Sequence, residues 1–240
     1  MTESWDAAWW LTEVASDPTY PEEVLPLLID VLSPRPEHLY LDMGCGEGQG
    51  MRTIVAAGAR TVGCDQNAVL LEQARAAGPV AQCRLPGLGF LGDATVDGAY
   101  AVLVLEHIED YARLLAEAAR VVTPGGPLVI VANHPAFTAP GAGPLIDPGD
   151  GEVTWRWGAY LQPGTSVEPA GSLNLMMYHR PLGQLLSAAA SAGWALQRME
   201  ERGPGEAAAG RDPLLAAQRH IPRLIGLRFH NTGPTYTPRQ

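Results

Sequence analysis

Leu39-Tyr40-Leu41-Asp42-Met43-Gly44-Cys45-Gly46-Glu47-Gly48-Gln49-Gly50 decides the fold of this chain. Leu39, Tyr40 and Leu41 suit a buried strand, the apolar run stops at Asp42, and four of the next eight residues are glycine. A helix-compatible segment begins at about Met51, so the stretch reads as strand, tight turn, helix. Gly44, Gly46 and Gly48 permit positive φ and leave bare backbone for a ligand to lie against. Free N–H groups at the start of the following helix favour electron-rich ligand atoms. Such a loop is built to cradle a nucleotide-like molecule.

The partner carboxylate lies downstream. Thr61-Val62-Gly63-Cys64 reads as a second short strand ending at Asp65, where an acidic residue can accept both hydroxyls of a ribose. Two ligand classes fit. The dinucleotide fingerprint requires glycine three residues after its second glycine; counted from Gly44 and Gly46 that position is Gln49, and the pattern fails there. The run Asp42-Met43-Gly44-Cys45-Gly46-Glu47-Gly48, with Asp65 following, instead resembles the nucleotide-binding motif of the class I S-adenosylmethionine-dependent methyltransferases. The resemblance implies S-adenosylmethionine as cofactor and S-adenosylhomocysteine as its product. It places the backbone of Gly44, Cys45 and Gly46 against the methionine part, Asp42 at the amino group through water, and Asp65 with its neighbour Gln66 at the ribose.

Working outward, residues 51–57 and 68–77 fit two helices, and 80–84 a short third strand. In the family this strand commonly ends in an acidic residue that meets the adenine amino group; here Arg84 and Leu85 occupy that position, and a guanidinium cannot accept that hydrogen bond. Residues 98–105 are continuously apolar, as in a strand covered on both faces, and end in Glu106-His107. The family resemblance puts this Leu-Glu-His turn beside the methionine moiety, so Val102 and His107 are cofactor contacts; His107 as a general base is the alternative. A helix over 111–122, a Pro124-Gly125-Gly126 break and a fifth strand over 127–132 complete the alternation. The fold class is α/β, a Rossmann-like doubly wound seven-stranded sheet, mostly parallel with one antiparallel strand, helices on both faces and an inserted lid.

Outside that core the chain divides into an N-terminal aromatic lid (1–36), the cofactor core (37–132), an insertion (133–179), a completion of the core (180–231) and a tail (232–240). Trp5, Trp9, Trp10 and Tyr20 carry much apolar area for a terminus; Trp9 and Tyr20 are assigned to the substrate if the segment is a lid rather than edge packing. Residues 22–32 have a helical apolar stripe. Between 134 and 177 both periodicities vanish, and prolines accompany Trp155, Trp157 and Tyr160, which reads as a long substrate-recognition loop. Trp155 and Trp157 are assigned to substrate. The cluster Asp147, Asp150, Glu152 reads as a solvated turn, with an amine or a metal as alternatives, and no metal site is assigned. His134, emerging after the fifth strand, is either an acid/base group or a structural hydrogen-bonder beside Pro135; Tyr178 and His179 are substrate-facing catalytic candidates, and Arg180 is expected to anchor the insertion by a salt bridge. A helix over 182–192, a sixth strand over 194–201, a flexible connector over 203–210, a short helix over 213–219 and a final strand over 224–230 follow.

Composition bounds the function. The net charge of −10 over 240 residues argues against a nucleic-acid partner, which calls for a basic face. Cys45, Cys64 and Cys83 lack metal-ligand spacing and read as small buried residues in a reducing cytosol. No apolar run is long enough to span a membrane, and a cytoplasmic protein is expected. The expected activity is methyl transfer to a small, partly apolar acceptor, such as a secondary metabolite, driven by positioning and desolvation. The alternatives are an NAD- or nucleotide-dependent oxidoreductase and a non-catalytic S-adenosylmethionine-binding module. The acceptor atom and the oligomeric state are not legible.

Overall fold

A computed structural model describes residues 6–14, 16–170 and 173–233; Trp5 and residues 234–240 of the expected tail lie outside the described residues. In chain order the elements begin with α1 (Ala7–Trp9), α2 (Leu25–Leu32), β1 (Leu39–Met43), α3 (Gln49–Ala56), β2 (Arg60–Asp65), α4 (Ala68–Ala74) and β3 (Val80–Gln82). They continue with β4 (Gly98–Val102), α5 (Tyr111–Val121), β5 (Pro127–Asn133), α6 (Pro135–Thr138), β6 (Gly143–Ile146), β7 (Val153–Arg156), β8 (Gly164–Ala170) and β9 (Leu173–His179). The chain ends with α7 (Leu182–Ser191), β10 (Trp194–Arg202), α8 (Glu206–Arg211), α9 (Pro213–Ala217) and β11 (Leu224–Asn231).

Seven strands form one sheet in the order β10-β11-β5-β4-β1-β2-β3. The inner pairs are parallel, and β11 runs antiparallel to both β5 and β10. Side chains of a strand alternate between faces, and β5 uses both. Leu128, Ile130 and Ala132 join Leu114, Leu115 and Ala118 of α5 and Leu185 of α7, while Val129 and Val131 join Leu27, Leu28 and Val31 of α2 on the other side. A strand buried on both faces needs a continuous apolar run, which is why 98–105 and 127–132 carry no alternation. Successive strands part to opposite sides of β1, and the crevice above the carboxyl ends of β1 and β4 is where ligands bind in such sheets.

Four expectations need correction. The insertion is not an irregular loop: it holds α6 and two antiparallel hairpins, β6–β7 and β8–β9. Strands β6 and β7 are four residues each, and apolar side chains such as Leu145 and Ile146 stand exposed, so no buried stripe marks them. Pro148 and Gly149 fall in the hairpin turn, where Asp147 and Asp150 accept from the N–H groups of Gly149 and Glu152. The 203–210 connector contains helix α8, because Ala207, Ala208 and Ala209 favour helix and Gly205 stands at its N-cap. The stripe at 22–32 begins at Tyr20 and takes a wide first turn, with Leu25 N–H reaching Tyr20 O, before becoming α2. Finally, Arg180 anchors the insertion through backbone carbonyls rather than a carboxylate: its guanidinium donates to the oxygens of Leu105 (3.1 Å), Ile108 and Glu109 (3.0 Å).

Candidate functional site

The glycine loop is pinned to β2 by its own backbone. Gly44 and Cys45 N–H groups both donate to Cys64 O, at 2.8 and 2.9 Å. Gly44 adopts φ +80°, and a Cβ there would lie 2.4 Å from Val104 Cγ2; Gly48, at φ +88°, would place one 2.9 Å from Ala74 Cα. Glycine is therefore required twice over, by dihedral and by space.

Carboxylates surround this loop. Asp65 Oδ2 accepts from Gly46 N–H at 3.1 Å and Oδ1 from Asn67 N–H at 2.8 Å. Burial pushes the Asp65 pKa up, opposed by those backbone donors. Asp42 is fully buried beside Gly50 and Tyr100, and its pKa is pushed up to about 8 by desolvation, with the negative charges of Asp65 and Glu47 adding to the rise and Tyr100 opposing it. The buried Tyr100 hydroxyl faces that carboxyl and is the chief effect opposing the rise. Glu47 is 3% exposed; its Oε2 accepts from Trp10 Nε1 at 2.5 Å, and its Oε1 is buried without a partner.

These groups line a cavity of about 480 Å³. At one end stand Gln66, Cys83, Arg84 and Leu85, and near the loop Asp42, Gly44, Cys45, Gly46 and Asp65. Val102, Leu103 and Val104 follow from the end of β4, and Leu103 takes φ +51°, a strained value for a branched side chain. Trp10, whose ring would lie 3.8 Å from a Cβ at Gly46, packs edge-on against Tyr20 with ring centroids 6.3 Å apart. The Tyr20 phenol is pushed up by burial and then by the nearby Glu106, whose Oε1 accepts from Asn133 Nδ2 at 2.8 Å. The far wall comes from the insertion: Asn174, Leu175, Met176 and Tyr178 face His107, Ile108 and Glu109. His107 Nδ1 lies 3.4 Å from Met176 O, and burial lowers its pKa.

The structure thus brings Asp42, Gly44, Cys45, Gly46, Asp65, Gln66, Arg84, Leu85, Val102, His107, Tyr20 and Tyr178 to one cavity. Other sequence-predicted residues stand elsewhere. His134 is buried, accepts Ala136 N–H at Nδ1 (3.0 Å) and meets Glu201 Oε1 through Nε2 (2.8 Å), the structural alternative for that residue. His179 Nε2 lies 2.8 Å from Tyr160 O. Trp155 donates to Ala136 O at 3.1 Å and stacks on Phe137 at 5.1 Å, and Trp157 is 58% exposed. Trp9 is half-buried beside Trp10, the tryptophan that reaches the cavity. Sequence reasoning missed Trp10, Glu47 and the Asn174–Met176 wall; only the helical offset between Trp9 and Trp10 could have separated those two. Among the described residues, no group of three or more His, Cys, Asp or Glu is placed to hold a metal ion, and no helix is long and apolar enough to cross a membrane.

Comparison with known proteins adds the following. A family model described as a methyltransferase domain matches residues 41–130. A probable S-adenosylmethionine-dependent methyltransferase of Mycolicibacterium smegmatis is 32% identical over 110 residues, 45% of this chain and 43% of that protein. An S-adenosylmethionine-dependent methyltransferase structure from Mesorhizobium loti superposes with a TM-score of 0.74 at 28% identity, covering 90% of this chain and 99% of the other. The Burkholderia thailandensis 1,6-didemethyltoxoflavin-N1-methyltransferase, solved with bound 1,6-didemethyltoxoflavin and S-adenosylhomocysteine, shares the fold at 16% identity and a TM-score of 0.58, covering 92% of this chain and 81% of the other. The matched stretches span 29 to 43% of the length of the first curated relatives.

Proposed function

Because the chain belongs to the class I S-adenosylmethionine-dependent methyltransferases, whose cofactor is S-adenosylmethionine, we propose that it methylates a small, partly apolar acceptor such as a secondary metabolite. The observation that carries this reading is the continuity of the cavity, which runs from the glycine cradle to the β9 wall and lies within the usual ligand-pocket range of about 300–1,000 Å³. The residues present fit the cofactor: a loop whose glycines leave room where a Cβ would clash, and a buried Glu47 oxygen without a partner.

When bound, the cofactor supplies an activated methyl group on a sulfonium. Asp65 keeps capacity for ribose hydroxyls, because a carboxylate has about four lone-pair sites and two are used by backbone donors. Arg84 and Leu85 flank the adenine end, and the backbone of Gly44 to Gly46 the methionine end. Leu103, Val104, Ile108, Leu175 and Met176 wall the acceptor side and exclude water, so the chain's contribution is positioning and desolvation. Tyr178 and His107 are the polar groups that orient the acceptor there. The net charge of −10, and a lining with five acidic residues, of which the buried Asp42 keeps its proton, against the guanidinium of Arg84, support a small uncharged or cationic acceptor over a nucleic acid.

The test is calorimetric titration with S-adenosylmethionine, S-adenosylhomocysteine and NAD, followed by methyl transfer to a panel of neutral, amine and oligonucleotide acceptors. Binding of both adenosyl ligands, silence toward NAD and turnover on small acceptors is expected. Binding of NAD alone would sink the reading, and binding without turnover across the panel would leave a cofactor-binding module.

A further inference from the structure

Resting on that methyl-transfer reading, we infer that the acceptor bears an unbranched apolar tail, which leaves the cavity over Met176 and lies along the outer face of the β8–β9 hairpin. The hairpin register defines this face. Val167 stands opposite Met176 and Thr165 opposite Tyr178, and directly opposed residues of an antiparallel ladder point to the same side. Asn174 shares that side, two residues before Met176, because side chains alternate along a strand. Asn174, Met176 and Tyr178 all line the cavity, so the face that carries Val167 continues the cavity wall into the open.

The two faces of the hairpin are treated differently by the rest of the chain. On the opposite face His179 is buried, with Nε2 2.8 Å from Tyr160 O and its ring centroid 5.9 Å from that of Tyr160, so the protein covers its own surface there. On the cavity face Met176 is 44% and Val167 56% exposed, and neither joins the hydrophobic clusters of the core. Adjacent apolar side chains left in water, running on from a ligand cavity, mark where a ligand emerges. The strip has the shape of a single chain rather than a fused ring system. It is one cross-strand pair wide, about 5 Å between Cβ atoms. From Tyr178 to Asn174 it runs about 13 Å, at about 3.3 Å per residue. Met176 can follow such a chain, since an unbranched thioether adapts to what it meets. Among the described residues of this face, Thr165, Val167, Asn174, Met176 and Tyr178, none is charged, so an ion pair is not what would hold the tail.

The experiment uses the full chain saturated with S-adenosylhomocysteine and two homologous probe series, n-alkylamines and n-alkanols from butyl to decyl, titrated calorimetrically below their aggregation concentrations. In at least one series affinity is expected to rise about two- to fourfold per methylene, the upper figure being complete burial of each group. It should level off in the longest members, whose ends pass Asn174. Val167→Ser is expected to weaken the decyl probe about threefold to tenfold, and the butyl probe and S-adenosylhomocysteine by less than about twofold. Leu145→Ser, at a 47% exposed position of the β6–β7 hairpin, should change none of these. Equal losses in the two variants would overturn the proposal, since the probes would then adsorb to any exposed apolar side chain; so would affinities that ignore chain length in both series. If Val167→Ser does not fold, Val167→Thr, which keeps the β-branched shape, carries the same comparison with a loss at the lower end of that range. A wild type that sediments as a dimer, made monomeric by Val167→Ser and indifferent to chain length, would overturn it in favour of a second copy of the chain on this face. A wild type that does not bind S-adenosylhomocysteine would overturn the cofactor reading itself, whereas one that binds it without any dependence on chain length would overturn only the tail.

Discussion

Two glycines in the left-handed region contrast the glycine cradle with the insertion. Gly48 in the cradle has φ +88° and no room, its Cβ position lying 2.9 Å from Ala74 Cα; Gly151 in the β6–β7 turn has φ +79° and nothing within 4 Å. The cradle is fixed by backbone: Gly44 and Cys45 on Cys64 O, and Gly46 on Asp65. The insertion is fixed by a few side chains, namely Trp155 on Ala136 O, Arg156 on Gly141 O and Arg180 on three carbonyls, while Leu145, Ile146 and Leu161 stay exposed. The glycine cradle is thus held by main chain, and the insertion by ties that single substitutions can change.

The same substitution at the two glycines measures this difference. Gly48→Ala is expected to cost about 3 kcal/mol, combining the left-handed penalty with a clash against backbone, whereas Gly151→Ala should cost about 1 kcal/mol from the dihedral alone. Urea unfolding of both variants gives the numbers. Equal losses would mean that the cradle yields to a methyl as easily as an exposed turn, and the contrast would fail.

Arg180 tests the other side. Besides the carbonyls of Leu105, Ile108, Glu109 and Tyr178 it lies over the Tyr111 ring at 4.3 Å and the Tyr178 ring at 5.3 Å. Arg180→Met is expected to cost about 2 kcal/mol, the scale of bonds from a charged donor. Hydrogen exchange should show the loss in β8 and β9 while β1 and β2 keep their protection. Matching losses in all four strands would make the two halves one cooperative unit.

What was legible follows the same division. The motif from Asp42 to Gly48 with Asp65 was readable because backbone geometry demands particular residue types at fixed spacing, and the double-sided burial of β4 and β5 leaves continuous apolar runs. The Trp10–Glu47 bond was not readable: it joins residues 37 apart, and neither residue type declares a partner. Hairpins β6–β7 and β8–β9 were hidden because exposed strands keep no apolar stripe and their prolines look like loop. Arg180 suggested a carboxylate partner from composition, but the carbonyls it meets are invisible in side-chain identities. His134 was read with both alternatives open, and only its distance to Glu201 separates them.

Charge gives a third contrast, between the buried Asp42 and the exposed acids of the β6–β7 turn. A carboxyl raised to about 8 from an unfolded value of 3.8 binds a proton in the folded chain that the unfolded chain has already lost. Its contribution is therefore full below about pH 4 and is lost as pH rises toward 8, with a slope of up to about 1.4 kcal/mol per pH unit. Asp42→Asn should flatten the fall in melting temperature across that window. A wild-type melting temperature that rises from pH 5 to 8, with no change in Asp42→Asn, would show that Asp42 is ionised in its buried site.

The smallest effect is expected where the sequence promised most, at Trp157. An aromatic residue inside a substrate-recognition segment reads as a substrate contact, yet this ring is 58% exposed and meets Tyr160 edge-on at 6.0 Å, away from the cavity lining. Truncating an exposed side chain removes little buried area, so Trp157→Ala should change stability by less than about 0.5 kcal/mol. Cofactor affinity should be unaltered for the same reason, since the ring touches neither the cradle nor the β9 wall. Trp155→Ala is the internal control: its indole donates to Ala136 O and stacks on Phe137, so its loss should exceed that of Trp157 by about 1 kcal/mol or more. If Trp157→Ala instead weakened turnover with stability intact, the insertion would have to bring that ring onto the acceptor, and the far wall of the site would extend from β9 to the segment after β7.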